Sequence, residues 1–123
     1  MMKTALLTFT LILAASPALC GNILIPGYDV IHFKAGEITQ DVFFRNPSEN
    51  ECSFRMSICL EDGTEIWTAD DVLNPGEVFL RIDLERAIPK GRYSNALMKY
   101  ECYSVHDGSR LNGAEIRVTI EAE

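Results

Sequence analysis

Apolar and polar residues alternate in short segments along most of the chain, and this pattern predicts β-strands. In the clearest segment Phe54, Met56 and Ile58 alternate with Arg55 and Ser57. Because successive side chains of a strand point to opposite faces of the sheet, such a segment has one buried face and one polar face. The pattern predicts strands at residues 28–33, 38–45, 52–60, 65–68, 77–84, 92–103 and 114–121.

Turn-forming pairs separate these segments, and no segment shows the 3.6-residue period of an amphipathic helix. Pro-Gly, Asn-Pro, Asp-Gly and Asn-Gly pairs occur at residues 26–27, 46–47, 62–63 and 112–113. The Asp62-Gly63 pair fits a tight hairpin, because glycine tolerates the positive φ that such turns require. Short strands at this spacing are typical of an all-β sandwich or barrel, and we expect a seven-stranded antiparallel sandwich.

The alternation also predicts which residues form the core. In the segment 77–84, the residues expected to face inward are Val78, Leu80, Ile82 and Leu84, and those expected to face outward are Phe79, Arg81 and Asp83. The same counting along 52–60 places Cys52 with the core residues and Cys59 on the solvent face. In the segment 92–103 it places Met98, Tyr100 and Cys102 inward.

The first 20 residues follow a different pattern. Lys3 precedes an uncharged, mainly apolar run over residues 5–15, and small residues lead to Ala18-Leu19-Cys20. This arrangement is typical of a secretory signal peptide, and the run is shorter than the roughly 20 apolar residues of a membrane span. We therefore expect residues 1–20 to be a signal peptide and residues 21–123 to form a single exported domain. That domain would be extracellular, at the cell surface or periplasmic.

Two alternatives for Cys20 stay open. It is the N-terminal residue of the exported protein if the leader is of the lipoprotein type, although Leu19 is larger than the small residue that such signals carry before the cysteine. A retained leader would instead anchor the chain. With cleavage after Cys20, we expect no membrane attachment.

The net charge narrows the classes of partner. The 123 residues include 11 Lys and Arg and 18 Asp and Glu, which gives a net charge of −7. The leader contributes only Lys3, so the exported part carries a net charge of −8. An acidic domain of this kind is not expected to bind nucleic acid or an anionic membrane surface.

Two segments resemble immunoglobulin-like and fibronectin-III-like domains. The segment Pro89-Lys90-Gly91-Arg92-Tyr93 resembles the Pro-x-Gly-x-Tyr sequence before the sixth strand of many such domains. The resemblance implies that Tyr93 forms a tyrosine corner, with Gly91 in the preceding turn. Tyr100-Glu101-Cys102 is similar to the Tyr-x-Cys of the sixth immunoglobulin strand, but the segment 38–45 lacks the partner cysteine of that family. The likeness is therefore to the architecture.

The chain also resembles small exported β-sandwich domains of gut-type Gram-positive bacteria. This resemblance covers nearly all of residues 21–123 and implies the fold without assigning an activity. It rests on Asn46-Pro47, Asn50-x-Cys52, residues 60–67, Pro75-Gly76, residues 99–103 and residues 111–114.

An immunoglobulin-like strand order has consequences for the cysteines. It would make the third and sixth strands antiparallel neighbours, with Cys52 near Cys102. One outcome is a Cys52–Cys102 disulfide, and the alternative is two buried free thiols packed side by side. Cys59 is expected to be a surface thiol.

Catalytic and metal-binding patterns are weak. His32 and His106 are the histidines of the chain, and no Gly-x-Ser-x-Gly sequence occurs. His106 lies near Ser104 and Asp107 in a predicted hairpin turn, where such residues are common for turn formation alone. No spacing typical of a zinc or calcium site is present. We therefore expect that the protein is not an enzyme and that it binds no metal or cofactor. A hydrolase that uses His106 is the weakest alternative.

Exposed aromatic side chains and sheet edges are the remaining candidates for binding. Trp67 and Tyr103 would form a carbohydrate-binding platform if they share an exposed face, although Trp67 fits the core of a small sandwich better. An open edge strand or a sheet face is typical of protein-binding domains. We therefore expect an exported, non-enzymatic interaction or structural module with a protein partner, and carbohydrate binding as the alternative.

Overall fold

The computed structural model describes residues 23–123, which form two β-sheets and no helix. The strands are β1 (Val30–Phe33), β2 (Thr39–Arg45), β3 (Cys52–Cys59), β4 (Glu65–Thr68), β5 (Val78–Asp83), β6 (Gly91–Ser104) and β7 (Arg110–Ala122). The all-β prediction is confirmed, and the strands begin and end within four residues of the predicted segments. The predicted signal peptide and Cys20 lie outside the described residues.

The larger sheet has five strands in the order β1-β7-β6-β3-β4, and the smaller sheet pairs β2 with β5. Strands β3 and β6 are antiparallel neighbours, as expected, with Cys52 opposite Ser104 and Cys59 opposite Leu97. The expectation of a fully antiparallel fold is wrong at one edge, where β1 runs parallel to β7. Parallel pairing needs a long connection between the two strands, and here the rest of the domain supplies it.

The core lies between the two sheets. The inward positions predicted for β3 and β6 are buried, with Phe54, Met56, Ile58 and Met98 fully enclosed. Their burial removes large apolar surfaces from water, which is the main stabilising contribution in a domain of this size. No helix in the described part of the chain has the length and hydropathy needed to cross a membrane.

A register shift between β3 and β4 changes the predicted orientation of side chains. Ile58 pairs with Trp67, whereas the next residue, Cys59, pairs with Glu65. The extra residue on β4 allows both Ile66 and Trp67 to be buried. Cys59 is 6% exposed, so the prediction of a surface thiol is wrong. The register of β3 with β6 continues unbroken through Cys59, so alternation gives the face of the sheet but not whether neighbouring segments cover that face.

A second register shift lies in the smaller sheet. Asp41 pairs with Arg81 and Phe44 with Phe79, so two residues of β2 lie opposite the single residue Leu80. Leu80 is 60% exposed, and the prediction that it faces the core is wrong. Phe79, predicted to face outward, packs edge-on against Trp67 with ring centroids 5.8 Å apart.

Two buried asparagines tie the loops to the core. The Asn46 side-chain amide donates to the carbonyl oxygens of Cys52 and Leu73, at 2.9 and 2.8 Å. Asn50 donates to the Asn46 side-chain oxygen at 2.8 Å, and it also accepts from and donates to the backbone of Leu24. These contacts fix the segment before β1, which the sequence pattern does not reveal.

Candidate functional site

An open groove of about 390 Å³ lies between β1 and β2, where the edges of the two sheets face each other. Its lining residues come from the segment leading into β1, from β1 and from β2. They are Tyr28, Val30, Ile31, His32, Asp41, Val42, Phe43 and Phe44.

Both walls of the groove are edge strands. Among the described strands, β1 pairs with β7 alone and β2 with β5 alone, so each has one edge directed away from its partner. Two of the large apolar side chains on these walls are exposed, Val30 by 37% and Phe43 by 51%. An edge strand flanked by exposed apolar side chains is a template for pairing with another chain.

The floor of the groove is aromatic. The rings of Tyr28 and Phe44 pack with centroids 5.3 Å apart, and the Tyr28 hydroxyl accepts a hydrogen bond from the Arg45 backbone amide at 3.0 Å. Burial raises the pKa of Tyr28 to about 12, against the opposing effect of that hydrogen bond. The phenol is therefore neutral at physiological pH and adds no charge to the groove.

Charged residues form the rim beside β2. The Asp41 carboxylate lies 3.2 Å from the Arg81 guanidinium and 3.8 Å from the Lys34 ammonium. All three side chains are more than half exposed, so these ion pairs add little to the stability of the fold. The rim beside the groove therefore presents both signs of charge to solvent.

Trp67 and Tyr103, the predicted carbohydrate platform, do not share an exposed face. Trp67 is 4% exposed and packs between Phe44 and Phe79, with its ring centroid 5.7 Å from that of Phe44. The half-buried Tyr103 donates its hydroxyl to the Glu101 carboxylate at 3.0 Å. A buried indole has no face on which a sugar ring can stack.

His106 lies in the hairpin turn between β6 and β7. Its Nε2 atom is 2.8 Å from the Glu51 carboxylate, and both side chains are largely exposed. The Ser104 hydroxyl oxygen accepts the His106 backbone amide at 3.1 Å, and hydrogen bonds from Ser109 lower the pKa of Asp107. These bonds shape the turn, and the Ser104 hydroxyl has no bond to the imidazole that would activate it as a nucleophile.

Cys52 and Cys102 are neighbours in the core, but the predicted disulfide is not formed. Cys52 pairs with Ser104 and Cys102 with Phe54, so the two cysteines are diagonal across β3 and β6 rather than directly opposite. A hydrogen bond with Cys52 and burial hold the pKa of the Cys102 thiol well above its ordinary value. The arrangement is the alternative of two buried thiols packed side by side without a disulfide, which are unreactive as nucleophiles.

The structural residues named from the sequence are distributed over the fold. The Tyr93 hydroxyl donates to the Pro89 carbonyl oxygen at 2.6 Å, across the turn that ends at Gly91, the first residue of β6. Buried Tyr100 has its hydroxyl 3.4 Å from the Pro26 carbonyl oxygen. Gly63 has a φ of 92° in the turn between β3 and β4, a conformation that favours glycine.

The groove is the feature that sequence reasoning missed. The alternation of apolar and polar residues predicted both strands that form its walls. It does not predict the strand order, which places β1 and β2 at the edges of the two sheets. No protein family, no curated protein and no solved structure matches this chain.

Proposed function

We propose that the protein is an exported, non-enzymatic interaction module that binds an extended segment of a partner protein in the groove between β1 and β2. The observation that supports this most directly is that two edge strands face one apolar groove. Strand addition to such an edge is a common mode of peptide recognition, in which backbone hydrogen bonds give affinity and alternate side chains enter pockets. Export is inferred from the predicted signal peptide in residues 1–20.

We also propose that the fold is of the immunoglobulin-like type. Support comes from the strand order, with β3 and β6 inside the larger sheet, β2 and β5 forming the second sheet, and β1 running parallel to β7. The hydrogen bond from Tyr93 to Pro89 supports it further, because a tyrosine corner at this position is typical of these domains.

The partner segment pairs with β2. The smaller sheet has two strands, fewer than the three or more that give a sheet independent stability, so an added strand extends the weaker sheet. Tyr28 already binds the Arg45 amide at one end of β2. The pairing stretch is therefore Asp41 to Phe44, which borders the groove. A partner with apolar residues at every second position would place them against Val30 and Phe43.

A random peptide library displayed on phage tests this proposal. Peptides selected on the purified protein should share alternating apolar residues, and Phe43→Asp should abolish their binding. The second groove variant, Val30→Asp, should do the same. Val105→Asp is the matched control, since Val105 is 48% exposed but lies in the hairpin turn after β6, away from the groove. Circular dichroism before selection shows that each variant is folded.

Backbone methylation separates strand addition from simple apolar contact. Two methylated versions of a selected peptide are compared, one with N-methyl groups on the odd-numbered residues and one with them on the even-numbered residues. One version should lose binding and the other should keep it, because a paired strand directs every second amide to its partner. Binding that survives Phe43→Asp, or that is lost equally with Val105→Asp, would contradict the proposal. Buried Trp67 and the hydrogen-bonded turn at His106 lend no support to the carbohydrate-binding and hydrolase alternatives.

A further inference from the structure

A histidine and two glutamates meet on the outer side of the larger sheet, at its β1 edge. His32 belongs to β1, Glu121 to β7, and Glu123 follows β7 directly. One potential ligand atom from each lies within 4.8 Å of the other two, and this is the sole group of its kind among the described residues. The predicted absence of a metal site rested on the spacing of ligand residues along the sequence. That spacing cannot reveal a contact between His32 and Glu121, which are 89 positions apart.

The backbone holds the three residues in place. His32 lies opposite Glu121 in the parallel pairing of β1 with β7. The Glu123 amide donates to the Phe33 carbonyl oxygen at 3.0 Å, and the Glu123 carbonyl oxygen accepts from the Ala35 amide at 2.9 Å. Because Glu121 and Glu123 are two positions apart, their side chains emerge on the same face of the sheet.

Arg92 orients the central carboxylate. Its guanidinium bonds the Oε2 atom of Glu121, while the Oε1 atom of the same carboxylate lies 3.7 Å from the Nδ1 atom of His32. Zinc bonds to nitrogen and oxygen measure about 2.0–2.2 Å in tetrahedral sites, so two zinc ligands are about 3.3 Å apart. A small side-chain rotation brings the two atoms to that separation. An outer partner that fixes a ligating carboxylate is a regular feature of metal sites.

We propose that His32 Nδ1, Glu121 Oε1 and a carboxylate oxygen of Glu123 bind a divalent transition-metal ion, with Zn²⁺ as the best match. The imidazole favours zinc over calcium and magnesium, which take oxygen ligands. The two carboxylates outweigh the charge of Arg92 and so attract the ion, and solvent fills the fourth position because the site is open. The bound ion links the four-residue edge strand β1 to β7 and so rigidifies one wall of the groove.

Isothermal titration with ZnCl₂ tests the proposal on the purified protein, without any peptide present. We expect one zinc ion per chain, a rise in Tm with zinc, and a chemical-shift change at the His32 ring. His32→Ala and Glu123→Gln should each weaken zinc binding by about tenfold or more. His106→Ala is the matched control, because His106 contacts the single carboxylate of Glu51 and should leave zinc binding unchanged. Both histidines are 69% exposed, so neither variant should disturb folding.

Three results would overturn it: no zinc binding at about 1 mM, zinc binding that is unchanged by His32→Ala, or displacement of zinc by an equal concentration of Ca²⁺. The last would reveal an acidic surface that collects any cation. The test is independent of the proposed function, because Phe43→Asp is expected to abolish peptide binding without changing a metal ligand. A zinc site can also be present in a protein that binds no peptide.

Discussion

At the scale of single residues, the side chains of Asn46 and Asn50 form hydrogen bonds with backbone groups where the chain leaves the sheets. Each is nearly fully buried, and no side-chain nitrogen or oxygen buried in residues 23–123 lacks a hydrogen-bond partner. Together they hold the segment before β1, the start of β3 and the loop at Leu73. Since a buried polar group without a partner is costly, these two amides stabilise one particular arrangement of the loops.

Removing the Asn46 amide should destabilise the fold strongly. Asn46→Ala leaves the carbonyl oxygens of Cys52 and Leu73 without this donor, and we expect the free energy of unfolding to fall by about 2–4 kcal/mol. Glu49→Ala, an exposed change in the same turn, should alter it by less than about 0.5 kcal/mol. Urea denaturation followed by tryptophan fluorescence measures both. Equal effects of the two variants would contradict this role for Asn46.

The thiols give a second prediction at this scale. Cys52, Cys59 and Cys102 are buried and form no disulfide, so iodoacetamide should modify none of them in the native protein. All three should be modified once the protein is denatured without a reductant. Peptide mapping by mass spectrometry measures the labelling. A disulfide-linked peptide pair containing Cys52 and Cys102, in protein purified without an oxidant, would contradict the structure.

At the scale of strands, alternation predicted the extents of the strands better than it predicted the burial of residues next to register shifts. It predicted the extents of the strands and the inward faces of β3 and β6, because a period of two is fixed by backbone geometry. It failed at Cys59 and Leu80, which lie at the two register shifts next to β4 and β2. The extra residues belong to the partner strands β4 and β2, so alternation along β3 and β5 gives the face of a side chain but not whether neighbouring segments cover it.

Two positions of β5 that share a predicted face provide a direct test of this difference in burial. Ile82 is 5% exposed and Leu80 is 60% exposed, although strict alternation assigns both to the core. Ile82→Ala should lower the free energy of unfolding by about 2–5 kcal/mol, whereas Leu80→Ala should change it by less than about 0.5 kcal/mol. Chemical denaturation of the two variants measures the difference. A larger loss for Leu80→Ala would contradict the exposed position of Leu80.

At the scale of the whole molecule, ionisable groups in the core or packed against it link stability to alkaline pH. Burial raises the pKa of Tyr28 to about 12 and holds the pKa of Tyr100 well above its ordinary value, and Cys102 shifts in the same direction. The folded state therefore keeps protons that the unfolded chain releases. The contribution of these groups to the free energy of unfolding is fully present below about pH 9. It declines as the pH rises towards 12.

Urea unfolding at pH 8, 10 and 11.5 should show this decline in the free energy of unfolding. In Tyr28→Phe the decline should be shallower, because one of the ionising groups is absent. This comparison is made within each variant, so it is unaffected by loss of the hydrogen bond between Tyr28 and Arg45. A free energy that stays constant over this pH range would contradict the burial of these phenols.

The proposed binding mode is also a property of the whole molecule, since it depends on two sheets presenting their edges to one groove. Amide hydrogen exchange, measured with and without a peptide selected for Phe43-dependent binding, tests it most directly. Pairing with β2 should slow exchange at amides between Asp41 and Phe44 and leave β4, at the far edge of the larger sheet, unchanged. Protection at β4, or no added protection along β2, would contradict strand addition in the groove.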